Sequence, residues 1–226
     1  VASPAIVVPW RITPEREASM LTAFRHNSFT FSDIPIYKSD SLEEKFNRSQ
    51  ARNLGCDKAI ADGHDILIVL DADTIFERSA IEEAIETVGE TILHPYDRDF
   101  ETSFFHKEDD IEQEKLSLER IKETRKPNYG HIGSGWVMTS EVFKHINGWD
   151  ERFLDWGWED TALNVVNKTL FGRNIEHLSG CAFRITHRGV NRGVEMANGI
   201  NRKHYMENYF SITEPDELYK LIAKNR

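Results

Sequence analysis

The chain has 226 residues, 39% hydrophobic and 11% aromatic, enough to bury the core of one large α/β domain or two small ones. Its 28 Lys and Arg against 38 Asp and Glu leave a formal charge of −10, which argues against a non-specific grip on nucleic-acid phosphates. Cys56 and Cys181 make neither a disulfide framework nor a metal-ligand spacing, no apolar run reaches membrane-spanning length, and no secretory signal is visible. Free thiols in a reducing compartment, and hence a cytoplasmic protein, are the expectation.

In chain order, Ala5-Ile6-Val7-Val8 before Pro9 predicts a short buried strand. Thr13-Pro14-Glu15-Arg16 predicts a helix start with Pro at the first position, followed by an apolar face of Met20, Leu21 and Phe24. Arg11, just past the strand, suits a nucleotide base or phosphate, or is a solvated loop arginine. Ile34-Pro35-Ile36-Tyr37 predicts a second strand, with Lys38-Ser39-Asp40 after it. Residues 41–63 are helical in pattern, punctuated by Arg48, Arg52 and Asn53; those arginines fit diphosphate binding or an ordinary solvated face.

Ile66-Leu67-Ile68-Val69-Leu70 is a short β-rich run that reads as a buried strand of a parallel sheet, and it leads directly into Asp71-Ala72-Asp73. Ligands of open α/β sheets sit at the carboxyl ends of strands, where these two aspartates emerge. Two such carboxylates are hard oxygen ligands for a divalent cation that also takes phosphate oxygens; the alternative is a solvated turn. An EF-hand loop is excluded because Phe76 stands where its glycine is required.

Ser79 with Glu82 reads as a capping box opening a helix to Val88, and Thr91 to Pro95 reads as another strand. The charged stretch 97–126, with Ile111, Leu118 and Ile121 at roughly helical spacing, predicts a partly exposed helical excursion over the sheet. Gly130-His131-Ile132-Gly133-Ser134-Gly135 resumes β character with glycines that let backbone approach a ligand, without forming a P-loop or a Gly-x-Gly-x-x-Gly unit. A short helix from Thr139 precedes Asn147-Gly148-Trp149-Asp150, and the run ends in Trp156-Gly157-Trp158-Glu159-Asp160. Glu159 and Asp160 open a further predicted helix, either as favourable charges at its N-terminus over packed aromatics or as a general base beside an aromatic sugar platform. Cys181 to His187 predicts a strand ending in a histidine, and residues 188–201 predict a Gly- and Asn-rich loop able to act as a lid.

Together these motifs resemble GT-A glycosyltransferases, most of all the β-1,4-galactosyltransferase group and bacterial chondroitin-polymerase-like family 2 enzymes. Four ordered blocks carry the likeness: Val8-Pro9-Trp10-Arg11; Lys45-Phe46-Asn47-Arg48 with Ala51-Arg52-Asn53; Leu70-Asp71-Ala72-Asp73; and Asn147-Gly148-Trp149-Asp150 through Trp156-Gly157-Trp158-Glu159-Asp160. His187 completes the set. The resemblance implies an α/β GT-A fold with a mostly parallel central sheet, and a single domain over 1–226. Within it, residues 1–95 would form the nucleotide-binding half and 129–210 the acceptor and catalytic half, with 97–126 the excursion.

The implied activity is a metal-dependent inverting transfer of a sugar from a nucleotide-sugar, most simply a UDP-sugar, to an acceptor hydroxyl. Asp71 would contact ribose or metal, and Asp73 and His187 would ligate Mn²⁺ (or Mg²⁺). Pro9, Arg11, Asp40 and Arg48 would hold the uridine and diphosphate, with Gly135 also on the donor side. Trp156 would close over the substrates, Glu159 would bind acceptor hydroxyls, and Asp160 would be the base. The acceptor classes left open are glycans, proteins, small aglycones and modified nucleobases, the last disfavoured by the acidic balance. The alternatives are a retaining GT-A transferase, whose relatives tend to carry Asn where Asp160 stands, and a catalytically silent glycan- or nucleotide-binding module. Two departures from the galactosyltransferase pattern stand out. Arg184 replaces a metal-reaching methionine, and Trp158 replaces the second glycine of the pair before Glu-Asp.

Overall fold

The computed structural model describes residues 2–102, 118–155, 157–185 and 191–226. Strand β1 (Pro4–Pro9) is followed by α1 (Glu17–Thr30), β2 (Ile36–Ser39), α2 (Arg48–Ala61) and β3 (Ile66–Leu70). Next come β4 (Thr74–Phe76), α3 (Arg78–Thr87), β5 (Leu93–His94), β6 (Arg98–Thr102), α4 (Leu118–Thr124), β7 (Asn128–Tyr129) and β8 (Gly135–Thr139). The chain continues through α5 (Ser140–His145), α6 (Glu159–Phe171), β9 (Glu176–His177), β10 (Cys181–Ile185), α7 (Asn191–Asn208) and α8 (Pro215–Ile222).

The main sheet has the order β2-β1-β3-β8-β5-β9. Its pairings are parallel from β2 to β3 and between β5 and β9, while β8 runs against both of its neighbours. Period-2 alternation divides the core in two. Ala5, Val7, Leu67, Val69, Trp136 and Met138 face one apolar layer, built with α2, α5, α6 and α8. Ile6, Val8, Ile68, Leu70 and Val137 face the other, completed by Phe31, Phe76, Ile81 and Tyr96. A second sheet, β4-β10-β6-β7, is backed by Ile75, Phe100, Phe183 and Ile185. It abuts the carboxyl end of β3, because β4 begins one residue after Asp73.

Several elements differ from the sequence reading. α2 starts at Arg48 rather than at residue 41, because the Asn47 side chain accepts from Gln50 N (3.0 Å) and caps the helix. Ser79 lies inside α3, whose N-cap is Glu77 without a side-chain cap bond; Glu82 instead accepts from Arg78 (2.7 Å). Residues 98–102 are a strand rather than part of a helical excursion, since they pair in parallel with β10. Ile111 falls outside the described residues. The stretch predicted as a loop over 188–201 is helical from Asn191 onward.

α2 packs close to β1 and β2 at Gly55, where a Cβ would come within 2.4 Å of Val7 Cγ1 and 2.5 Å of Ser39 Oγ. Its Asn53 clamps the chain that leads to α6. Asn53 Nδ2 donates to Trp149 O and Glu151 Oε1 (both 2.9 Å), and its Oδ1 accepts from Trp149 N. Gly148 adopts φ 67°, and a Cβ there would strike Asn53 Oδ1 at 2.4 Å, so this clamp requires glycine on both counts.

Candidate active site

The end of β3, the first turns of α2 and the N-terminus of α6 converge on one cluster of charges. Arg48 and Arg52 lie four residues apart on α2 and so share a helix face. Arg52 is fully buried, its guanidinium 4.2 Å from the Trp136 ring centroid and 5.5 Å from that of Trp149. It donates through Nη2 to Asp71 Oδ1 (3.0 Å) and through Nη1 to Asp160 Oδ1 (2.9 Å), and Glu159 Oε1 lies 3.6 Å from Nη1. Arg48 Nη1 lies 3.5 Å from Glu159 Oε1 and 3.8 Å from Asp71 Oδ2. The structure therefore brings Asp71, Glu159, Asp160 and Arg48 together, as the sequence suggested, with Arg52 at their centre.

Asp160 sits in the first turn of α6. Burial, reinforced by the neighbouring Glu159 charge and opposed by Arg52 and Arg48, raises its carboxyl from the usual range to about 8. Its Oδ1 is held by Arg52, while its Oδ2 faces Gly133, where a Cβ would lie 3.3 Å from Oδ2 and 3.1 Å from His131 Cε1. Gly133 thus keeps the space between the Asp160 carboxyl and the His131 imidazole clear. Glu159 differs from expectation. Its carboxylate turns inward, with Oε2 accepting from Gly157 N (2.9 Å) and Oε1 facing the two arginines. Just before it, Trp158 takes the left-handed conformation (φ 73°), costly for a large side chain, and packs against Tyr205 at 5.1 Å.

Asp71 N donates to Ser134 O (2.9 Å), which ties the strand end to the 130–135 loop. Asp73 Oδ1 accepts from Thr74 Oγ1 (3.3 Å), and its carbonyl accepts from Ile185 N (2.9 Å), at the end of β10. Two carboxylates one residue apart are a donor set suited to a hard divalent cation. Among the described residues no three His, Cys, Asp or Glu side chains converge as a metal site. His187 and Trp156, expected as metal ligand and closing tryptophan, lie outside the described residues.

The remaining expected donor-side residues occupy other surroundings. Arg11 forms a two-oxygen pair with Asp40 (2.8 and 3.0 Å) and donates to the carbonyls of Ser41, Glu43 and Glu44, so the two residues organise the loop before α2. Pro9 is buried at the end of β1 in register with Ser39. Gly135 pairs with Leu70, and a Cβ there would meet Phe76 at 2.8 Å, so packing accounts for that glycine.

Arg184 is bound to Glu101 (2.9 Å) and to the fully buried Asp99 (3.1 Å), which also faces His131 Nδ1 at 3.5 Å. Burial raises Asp99, with Arg184 and His131 opposing, and lowers His131. From sequence, Gly133 reads only as one of the glycines of the 130–135 stretch and Arg184 only as a departure from the family pattern; the meeting of Asp99, His131 and Arg184 is not read there. Arg52 reads as a diphosphate-binding or solvated arginine within the family's second block, not as the buried centre of the carboxylates. The four-residue spacing of Arg48 and Arg52 was the available signal.

Both cysteines are free and buried, and burial pushes the Cys181 thiol up to about 11. No described helix is long and apolar enough to cross a membrane.

Comparison with known proteins places this geometry. The glycosyl transferase family 2 profile matches residues 31–146, and the profile described as the N-terminal domain of galactosyltransferase matches residues 113–180. No curated protein sequence matches the chain significantly. Among solved structures, the catalytic domain of Drosophila β-1,4-galactosyltransferase 7 in complex with xylobiose superposes with a TM-score of 0.56 at 17% identity, covering 96% of this chain and 84% of that one. A mutant of the same enzyme in complex with manganese, UDP-Gal and xylobiose gives a TM-score of 0.55 at 17% identity, over 87% and 79% of the two chains. S. aureus TarS gives 0.52 at 11% identity, over 98% and 70%. At such identities these likenesses speak to the fold, which is GT-A. With the family 2 profile spanning half of its length, the chain belongs to glycosyl transferase family 2 and is a glycosyltransferase.

Proposed function

We propose that the whole 226-residue chain acts as one domain, a cation-dependent inverting transferase that moves a sugar from a UDP-sugar to an acceptor hydroxyl. The observation that carries the reading is the junction of Asp71 and Asp160 through Arg52. It sets a strand-end carboxylate suited to the donor side beside a carboxylate suited to proton abstraction. The solved neighbour that holds manganese, UDP-Gal and xylobiose makes such a donor, cation and sugar acceptor reasonable for this chain as well.

In this mechanism Asp160 Oδ2, on the side facing Gly133, takes the proton of the acceptor hydroxyl as that oxygen attacks the anomeric carbon. One base acting in a single displacement inverts the anomeric centre. Asp71, Asp73 and His187 would hold Mn²⁺ or Mg²⁺, which when bound supplies Lewis-acid stabilisation to the departing diphosphate. Arg48, at the first turn of α2, lies 3.8 Å from Asp71 at the same end of β3 and is the arginine assigned to the diphosphate in this reading. Trp156 is proposed to close over the substrates. Glu159 braces the turn at Gly157 and adds the negative charge that strengthens Asp160 as a base. Arg11 and Asp40 shape the loop between β2 and α2, which fits a wall of the uridine pocket in the company of Pro9.

Release of nucleoside diphosphate from a panel of nucleotide-sugars with Mn²⁺ tests the proposal. One donor should turn over, EDTA should abolish the turnover, and Asp71→Asn and Asp73→Asn should each weaken Mn²⁺-dependent UDP binding by at least about 10-fold, the scale of a lost cation contact. Turnover that persists in EDTA would refute the cation. Absence of both turnover and binding with every donor would refute the transferase mechanism.

A further inference from the structure

The proposed reaction assigns no part to the most buried charge in the site. Arg52 is wholly removed from solvent, and its two terminal nitrogens are spent on two different carboxylates, Asp71 on β3 and Asp160 on α6. The flat face of the guanidinium rests on Trp136, with Trp149 at its side and the two indoles edge to face at 5.9 Å. Trp136 is in β8 and Trp149 is clamped by Asn53, the residue after Arg52. The guanidinium is thus fixed from behind by the sheet and from its own helix. A planar fork held in this way has one orientation, which an ammonium on a flexible stem cannot reproduce.

Fixing Arg52 fixes what it holds. Asp160 has one oxygen committed to Arg52 and the other directed to the gap at Gly133, so the guanidinium selects which oxygen meets the acceptor. The second arm ends on Asp71, at the proposed donor side, so a movement of Asp71 on donor binding is passed to Asp160 through one rigid group. Resting on the reading of Asp160 as base, we propose that Arg52 is a positioning residue that aligns Asp160 for the acceptor and couples that alignment to Asp71. It touches neither substrate.

Arg52→Lys keeps the charge but cannot span both carboxylates in the plane of the fork. Turnover at saturating donor, read as diphosphate release across the nucleotide-sugar panel, should fall about 100-fold, the scale of a misplacement of about 1 Å. Binding of UDP with Mn²⁺, measured by calorimetry, should change by no more than about threefold, separating lost chemistry from lost binding. In an Asp160→Asn background, Arg52→Lys should cost nothing further, because residues that act as a unit are non-additive. If Arg52→Lys melts too low to assay, Trp136→Phe loosens the same guanidinium from behind. It should lower turnover by a smaller factor that again vanishes in Asp160→Asn. A loss that multiplies with that of Asp160→Asn, or one confined to UDP affinity, would overturn the proposal. Full turnover in Asp160→Asn alone would overturn the base assignment beneath it.

Discussion

Asp160→Asn separates stability from activity in a pH-dependent way. Arg48 and Arg52 face three carboxylates, Asp71, Glu159 and Asp160, so the buried cluster carries one negative charge too many. Burial and Glu159 hold the Asp160 carboxyl at about 8 in the folded protein, against an ordinary value of 3.8. The sign follows from linkage. Between these values the folded state keeps a proton that the unfolded chain has released, so stability falls as pH rises from about 4 to about 8 and levels off above. At about 1.4 kcal/mol per unit the full shift bounds this loss at roughly 5–6 kcal/mol. Asn escapes this loss, and the attraction of Arg52 and Arg48 for the carboxylate is already contained in the raised value. The expectation above pH 8 is therefore a gain in stability, seen as a higher melting temperature than the parent's. Thermal unfolding of both proteins from pH 4 to pH 9 is the assay. The difference should be small or reversed near pH 4, grow towards pH 8 and then plateau, while diphosphate release falls to a small residual rate. An Asn variant less stable than the parent at every pH would show that the arginines stabilise the Asp160 carboxylate outright, and the argument from excess charge would fail.

Gly55→Ala sets helix propensity against packing. Alanine gains about 1 kcal/mol in a helix, but its Cβ would collide with Val7 Cγ1 and with Ser39 Oγ, whose present position serves a hydrogen bond to Ala51 O. Overpacking at about 1–3 kcal/mol plus about 1 kcal/mol for that bond wins, so the melting temperature should drop by a few degrees; a rise would refute the close approach of α2. Asp150→Ala removes the shared acceptor of the partly exposed Arg152 and His204 and of the buried Tyr209, at a cost of about 1–3 kcal/mol. Burial alone would raise Asp150, yet the bonds from His204 and Arg152 outweigh it and hold the carboxyl below its ordinary value. Its contribution is therefore present above the ordinary aspartate range and lost as pH falls below it. Hydrogen exchange of α7 and α8 should accelerate in the variant, and unchanged protection would remove Asp150 from that role.

What could be read from sequence depended on whether the decisive contact was local. β1 and β3 were legible as buried strands because Ala5-Ile6-Val7-Val8 and Ile66-Leu67-Ile68-Val69-Leu70 are short unbroken apolar runs, so the position of Asp71 at a strand end followed. β6 was not. Arg98-Asp99-Phe100-Glu101 looks like solvated chain, yet Asp99 and Glu101 are neutralised by Arg184 on the neighbouring strand, and Phe100 stacks on Phe183 at 5.5 Å. α7 was missed for a similar reason. Its glycines and asparagines favour a loop, but Asn201 exchanges two hydrogen bonds with the Leu154 backbone, and Tyr205 and Tyr209 enter the main core. Tertiary contacts overrode local propensity in both cases. At the site, the carboxylates were found because their types and order match a family. The parts that Arg52 and Gly133 play were not readable, because one acts through burial and the other through the absence of a side chain.

The charge arrangement bears on how an anionic donor would be received. A nucleoside diphosphate approaching the end of β3 meets Asp71, with Asp73 beside it and Glu159 and Asp160 behind, in a protein whose formal charge is already −10. The arginines relieve this only in part. Arg52 is engaged on two carboxylates, and Arg48 lies within 4 Å of two more carboxylate oxygens, on Asp71 and Glu159. Desolvating a diphosphate against that surface is unfavourable unless a further cation enters with it. Electrostatics at this site thus supports the proposed coupling of donor to Mn²⁺ or Mg²⁺ alongside leaving-group chemistry. Asp71, were it to share its carboxylate with a cation, would hold Arg52 less strongly and leave the guanidinium more fully to Asp160. Donor binding would then be the event that tightens the base.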